Sequence, residues 1–223
     1  MPNKAQEYVE LADATARKLA GDYRGWADFL TTSARLYKYN FYDQLLIYAQ
    51  RPDATACAEF DLWNNTMHRY IRKGSKGIAL ITPSEYGPRL RYVFDVSDTG
   101  ERHNSLSVNP WDLREEHFAS VSDTLEDRFD ALASMGIPAQ LEQIAQRQVL
   151  DYWREHRRDI IDSVADSFMQ EYDDFSIGAS FRKLAANSIR FTLESRCGLE
   201  PQAEREDFAD VFNWNTPAAM SRR

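Results

Sequence analysis

A chain of 223 residues that is 43% hydrophobic and 13% aromatic, with five Trp, has enough apolar side chain for one large domain or two small ones, which excludes a disordered tail. No apolar run approaches the ~20 residues that a membrane-spanning helix needs, and the N-terminus shows no signal-peptide pattern. The net charge of −8 is uneven: residues 1–93 hold 13 Lys/Arg against 10 Asp/Glu, whereas residues 94–223 hold 14 against 25.

Apolar residues at helical spacing (Tyr8, Leu11, Ala12, Leu19) predict a first helix over 4–20. Asp22 can cap a second, carrying Trp26, Phe29, Leu30 and Ala34, and a third spans 42–50. Pro52 ends it, because proline disfavours helix in the residue before it. An extended piece at 55–58 and a short helix at 60–65 follow. Strands are predicted at 68–72, 77–81 and 90–96, the first two joined as a hairpin by the glycine-bracketed turn Gly74-Ser75-Lys76-Gly77. This gives a small antiparallel sheet against the N-terminal helices, an α+β domain over 1–100.

Residues 98–110 are polar and read as a loop. From residue 111 helical periodicity dominates: helices at 111–119 and 121–134, a long one from 138 to 172, an interruption at Gly178, a helix reaching Cys197, and a last short one over 204–212. Gly198 stands where a helix C-terminal glycine belongs. The second region, 101–223, is therefore an acidic, mostly helical half.

The chain offers little catalytic chemistry. His68, His103, His117 and His156 are scattered, and no HExxH places two ligands on one helical face. The turn at 74–77 lacks P-loop spacing, and no GxSxG elbow occurs. Cys57 and Cys197 fit no metal or redox spacing and are expected as reduced thiols of a cytoplasmic protein. The expectation is a binding protein without enzyme activity, cofactor, metal or membrane partner.

What remains is a basic and aromatic segment. Residues 60–93 contain Arg69, Arg72, Lys73, Lys76, Arg89 and Arg91 against Asp61 and Glu85. Glycine N–H groups beside Arg72, Lys73 and Lys76 suit a phosphate backbone, although an ordinary hairpin turn has the same composition. Tyr37, Tyr39, Phe41, Tyr42 and Tyr48 interleave with Arg35, Lys38 and Arg51. Tyr39 and Tyr42 could stack bases with Lys38 nearby, or such rings could pack a helix junction. Asp43-Gln44 could orient a base edge or cap a helix. Downstream, acidic residues at 112, 115, 116, 123, 126, 127 and 130, then 151, 155, 159, 162 and 166, form extended negative surface, either as a phosphate mimic or as a solvated face. Arg147, Arg154, Arg157 and Arg158 interrupt the second run, with Arg158 and Asp162 spaced to pair.

The segments YNFYDQLLI (39–47), Trp63, RYIRKGSKGIALI (69–81) and VFDVSDT (93–99) resemble the N-terminal single-stranded-DNA-binding domain of ArdC-type antirestriction proteins. The closer resemblance is to the N-terminal region of large helicase- and methylase-like proteins of conjugative elements. It extends through REEHF (114–118) and AANSIRFTLESRCGL (185–199) to FNWNTP (212–217). The resemblance implies a DNA-handling module of a mobile element whose ligand is single-stranded DNA, or RNA, with Arg69, Arg72, Lys73 and Lys76 on the binding face. ArdC proteins add an HExxH metallopeptidase domain that this sequence lacks, and the large relatives continue into motor and methylase domains. The rival reading is an anti-CRISPR-like inhibitor that binds a nuclease, or its guide complex, through the acidic helices. The nucleic-acid reading requires that the loop cations stay clear of carboxylates.

Overall fold

The computed structural model describes residues 4–85, 87–111 and 113–216. Asp112 of the acidic run and Pro217 of FNWNTP lie outside the described residues. The architecture is α+β: N-terminal helices on a small antiparallel sheet, then a mostly helical C-terminal half. Two compact units are present, one comprising 1–16 and 35–111, the other 17–34 and 112–223.

In the first unit, α1 (Lys4–Ala20) contributes its N-terminal portion. Helix α3 (Phe41–Gln50) starts at Asn40, whose side chain accepts the Asp43 N–H at 2.9 Å, and it stops at Arg51 before Pro52. Strands β1 (Cys57–Glu59), β3 (Ile78–Thr82) and β4 (Arg89–Asp95) form a sheet of order β1-β4-β3. Strands β2 (Tyr70–Ile71) and β5 (Thr99–Gly100) form a separate pair. Ala12 of α1, Leu46 and Ile47 of α3, Ile78 and Leu80 of β3 and Val93 of β4 make the core. The β3 edge is closed by Gln50, whose amide donates to Ala79 O at 2.9 Å and accepts from Ala79 N at 3.0 Å.

The predicted hairpin across Gly74–Gly77 is corrected. Strand β2 pairs with β5, Tyr70 opposite Gly100, while β3 pairs with β4. The backbone N–H of Arg72 donates to Asp98 O at 2.8 Å, which directs this stretch toward residues 98–100 and turns 72–77 into a link between two sheets. The predicted short helix at 60–65 is a π-helical turn at Leu62–Thr66.

In the second unit, α2 (Tyr23–Arg35) buries Trp26 and Phe29, and the Trp26 indole donates to Ser188 at 3.1 Å. Helix α4 (Phe118–Phe129) ends at the left-handed Asp130, φ 52. Gln140 ties α4 to α5 (Ile137–Ser163), donating to Ser122 O and Ala131 O and accepting from the Ser122 hydroxyl. The predicted long helix to residue 172 breaks after Ser163. There Ser163 and Ser167 hydroxyls turn back onto Ile160 O and Val164 O, and Asp166 is left-handed at φ 66. Helix α6 (Asp174–Arg196) is capped by Asp173, runs uninterrupted through Gly178, and ends before Gly198 at φ 69. The last predicted helix is a 3-10 segment, Arg205–Asn213. Among the described residues no helix is long and apolar enough to cross a membrane.

Candidate nucleic-acid interface

The loop at residues 72–77 is built on the turn that follows β4. Asp95 caps that turn, accepting from Ser97 N at 3.0 Å and from its hydroxyl at 2.6 Å, and the Asp98 carbonyl then receives Arg72 N and the Ser75 hydroxyl (3.4 Å). The Arg72 guanidinium donates to Ser97 O at 3.2 Å. Gly74 has φ 93 and open space where a Cβ would stand, so it serves the backbone conformation and not a tight contact. Arg72, Lys73 and Lys76 are exposed, and among the described residues none of them pairs with a carboxylate. Arg89, at the start of β4, is likewise exposed and unpaired.

The other expected contacts are placed differently. Arg69 is buried at 7% exposure, donating to the Thr99 hydroxyl and to Glu101, each at 2.8 Å. It therefore leaves the proposed binding face, because its guanidinium is spent joining β2 to the chain after β5. Arg91 also leaves that face: it pairs with buried Asp43 at 2.7 Å and Glu59 at 3.4 Å and lies 6.0 Å from the Tyr39 ring centroid. Burial pushes the Asp43 carboxyl above its ordinary value, and the Arg91 charge works against that rise.

The aromatic set divides too. Tyr39 is half-buried, donates to Cys57 O at 2.8 Å and has its phenol pushed up, chiefly by burial, so its ring belongs to the core. Tyr42 is 40% exposed, but its hydroxyl is held by Asp13 at 2.5 Å; burial and that bond push it up to about 12. Lys38 is exposed, its ammonium 5.7 Å from the Tyr37 ring centroid. Asp43 and Gln44 are internal struts, Gln44 donating to Leu36 O at 3.2 Å.

One residue the sequence reasoning passed over is Tyr92. Strand alternation in RLRYVFD puts Val93 and Arg91 on the face toward α3, and Tyr92 on the other. Tyr92 is 42% exposed and sits opposite Ala79. A Cβ at Gly77 would lie 3.2 Å from both Tyr92 Cβ and Phe94 Cζ, so the missing side chain lets these residues rest on the end of the cationic loop. The period-two pattern was a signal for this. Tyr70, 43% exposed, has the Arg102 guanidinium 5.8 Å from its ring centroid. Arg102 also donates to Asn64 at 2.9 Å.

No protein-family model matches the chain, and no solved structure matches it. A 1,4-alpha-glucan branching enzyme GlgB of Myxococcus xanthus is similar to it, at 28% identity over 151 residues, 66% of this chain and 20% of that enzyme. The chain spans about a fifth of the length of that curated relative. At this identity and coverage the likeness assigns the chain neither a family nor an activity.

Proposed function

We propose that the first unit is a non-catalytic module that binds single-stranded nucleic acid, DNA in the first place, within an ArdC-like antirestriction or mobile-element DNA-processing protein. The observation that carries this reading is the loop at 72–77. Three exposed cations, Arg72, Lys73 and Lys76, stand there without a carboxylate partner among the described residues, and the loop ends against exposed Tyr92. Cations on a glycine-containing loop neutralise phosphates, and an adjacent exposed ring stacks a base without choosing its identity. With Arg89 the set could neutralise roughly four phosphates, for a log–log salt slope near about −2.8 on a single strand.

Fluorescence anisotropy with single- and double-stranded oligonucleotides at two salt concentrations tests it. Lys73→Glu with Lys76→Glu abolishes binding while the melting temperature stays near that of the parent, since among the described residues neither side chain makes a hydrogen bond or ion pair. A double variant that binds as well as the parent sinks the proposal.

The rival function, inhibition of a nuclease defence system (restriction or CRISPR), draws on exposed Asp162 and Asp166 at the end of α5. Arg158 and Asp162, spaced to pair, show no ion pair; Arg154 pairs with Asp151, Arg157 with Asp174 and Arg147 with Asp130, which breaks up the negative field. This rival expects no oligonucleotide affinity, and loss of nuclease binding when Asp159, Asp162 and Asp166 are reversed.

A further inference from the structure

Three buried tryptophans give their indole N–H to an acceptor in the chain: Trp26 to Ser188, Trp63 to Phe94 O and Trp214 to Ser180, at 3.1, 2.8 and 3.1 Å. Trp153 of α5 departs from that rule. It is 8% exposed, yet among the described residues its indole donor has no acceptor. Arg182 of α6 is in the same condition. Its guanidinium lies 5.5 Å from the Trp153 ring centroid and makes no hydrogen bond or ion pair to the described residues.

Gly178 explains why the two meet. Long side chains on a helix lean back toward the preceding turn, which carries Arg182 over Gly178, four residues earlier. A Cβ at Gly178 would come within 2.5 Å of Trp153 Cζ2 and 3.0 Å of both Trp153 Cε2 and Arg182 Nη1. The Cε2 side of the indole and Arg182 Nη1 therefore both border the space that a Gly178 side chain would fill. Both line an open cleft of about 350 Å³ with Arg157, Asp173, Asp174 and Phe175. Asp174 already neutralises Arg157 at 3.1 Å, and Asp173 is engaged in capping α6, accepting from Ser176 N at 2.7 Å. Arg182 is thus the charged residue of this lining that pairs with no other among the described residues, and Phe175, 79% exposed, stands at the rim.

We infer that this cleft binds a monoanionic carboxylate carried on an apolar or aromatic stem. The indole N–H and the guanidinium beside it are both donors that among the described residues meet no protein acceptor, which leaves them free to meet a ligand's. A carboxylate answers the planar fork of arginine. A phosphate dianion would bring two negative charges beside Asp173 and Asp174 where a carboxylate brings one. Phe175 offers the stem an exposed apolar ring at the rim, and the volume, at the small end of ligand cavities, suits a group about the size of an amino acid. The carboxylate could arrive on a free small acid or at the C-terminus of a peptide.

Titration followed by ¹H–¹⁵N NMR of the Trp153 indole, assigned from the spectrum of Trp153→Phe, tests this on the full chain. With 3-phenylpropionate the Trp153 signal shifts and saturates, and 3-phenylpropanamide, the same shape without the charge, needs at least about tenfold more. Arg182→Met raises the half-saturation concentration of the acid by about tenfold or more. Phe175→Ala, a change at the exposed rim that leaves the fold intact, raises it about threefold. Gly-Gly-Phe separates the two sources: about tenfold tighter binding than the free acid assigns the occupant to a peptide C-terminus, and equal or weaker binding assigns it to a small acid. An unmoved Trp153 signal, acid and amide titrating alike, tighter binding of inorganic phosphate, or a Phe175→Ala protein that titrates like the parent each overturns the assignment.

Discussion

Two sets of cations in the first unit have opposite fates. Arg51 follows α3, Arg69 precedes β2 and Arg91 lies in β4, and each finds a carboxylate: Asp98, Glu101 and Asp43. Arg72, Lys73 and Lys76 leave a loop whose backbone is held by Asp98 O; all three are exposed, and among the described residues none pairs with a carboxylate. The lesson is that a local count of basic residues overstates the positive surface by whatever the fold consumes. The internal set is all arginine, and Arg51 shows why: its guanidinium reaches both Asp98 oxygens, at 3.0 and 2.9 Å, and Ser97 at 2.9 Å, a fork that an ammonium cannot reproduce.

Removing a member of the first set gives the largest expected effect on stability. Arg91→Leu strands Asp43, which is 5% exposed, and costs on the order of 3 kcal/mol, the lower end for a broken buried pair because Arg91 keeps some contact with water. The triple variant Arg72→Ala, Lys73→Ala, Lys76→Ala should cost under about 1.5 kcal/mol in all, each exposed substitution staying within about 0.5 kcal/mol. Urea denaturation of both proteins checks the contrast; equal midpoints would erase the distinction between the two sets.

A smaller effect concerns Asp95, which supports the loop from beneath. Burial works to raise its carboxyl, but hydrogen bonds from the Ser97 hydroxyl and from the backbone N–H groups of Ser97, Thr55 and Ala56 outweigh it and hold it below the ordinary carboxylate range. The unfolded chain thus takes up the proton first as pH falls. The stabilisation is complete above about pH 4 and is lost as pH drops through the depressed folded value. Asp95→Asn should cost about 1–3 kcal/mol at neutral pH, and the gap to the parent should close below about pH 4. Melting temperatures across that range decide it, and a gap that widens in acid contradicts the assignment.

Much of the fold was legible because its determinants are local. Asn40 before α3, Pro52 after it, Gly198 beyond α6 and the alternation of β4 act within a few residues of themselves. The failures were non-local. Nothing near Tyr70 announces that its partner is Gly100 and not the next strand, and Gly178 looked like an interruption because Trp153, which needs its missing Cβ, is 25 positions away in the sequence. The site was half legible for the same reason. Loop cations could be recognised from glycine and lysine spacing, but Arg69 and Arg91 could be excluded only once Glu101 and Asp43 were seen beside them. The segments around Trp63 and over 93–99 are largely scaffold: Trp63 donates to Phe94 O, Thr99 accepts from Arg69, and Asp95 and Asp98 hold the turn.

Tyr92 supplies the finest discrimination between the two regions. Its ring lies on the sheet face away from Asp43 and Arg91, against the end of the loop, whereas Tyr42 is committed to Asp13 on α1. If the loop and this face form one surface, Tyr92→Ala should weaken oligonucleotide binding by about 1 kcal/mol, the lower end for base stacking because the ring is 42% exposed before any ligand arrives. The salt slope should not change, since no phosphate contact is lost. Tyr42→Phe, which removes only the hydroxyl bound to Asp13, should leave affinity unaltered. Anisotropy titrations of the two variants at two salt concentrations separate the cases: a Tyr92→Ala protein with parental affinity would confine binding to the loop cations, and a shallower slope would mean that the ring positions a cation instead of stacking a base.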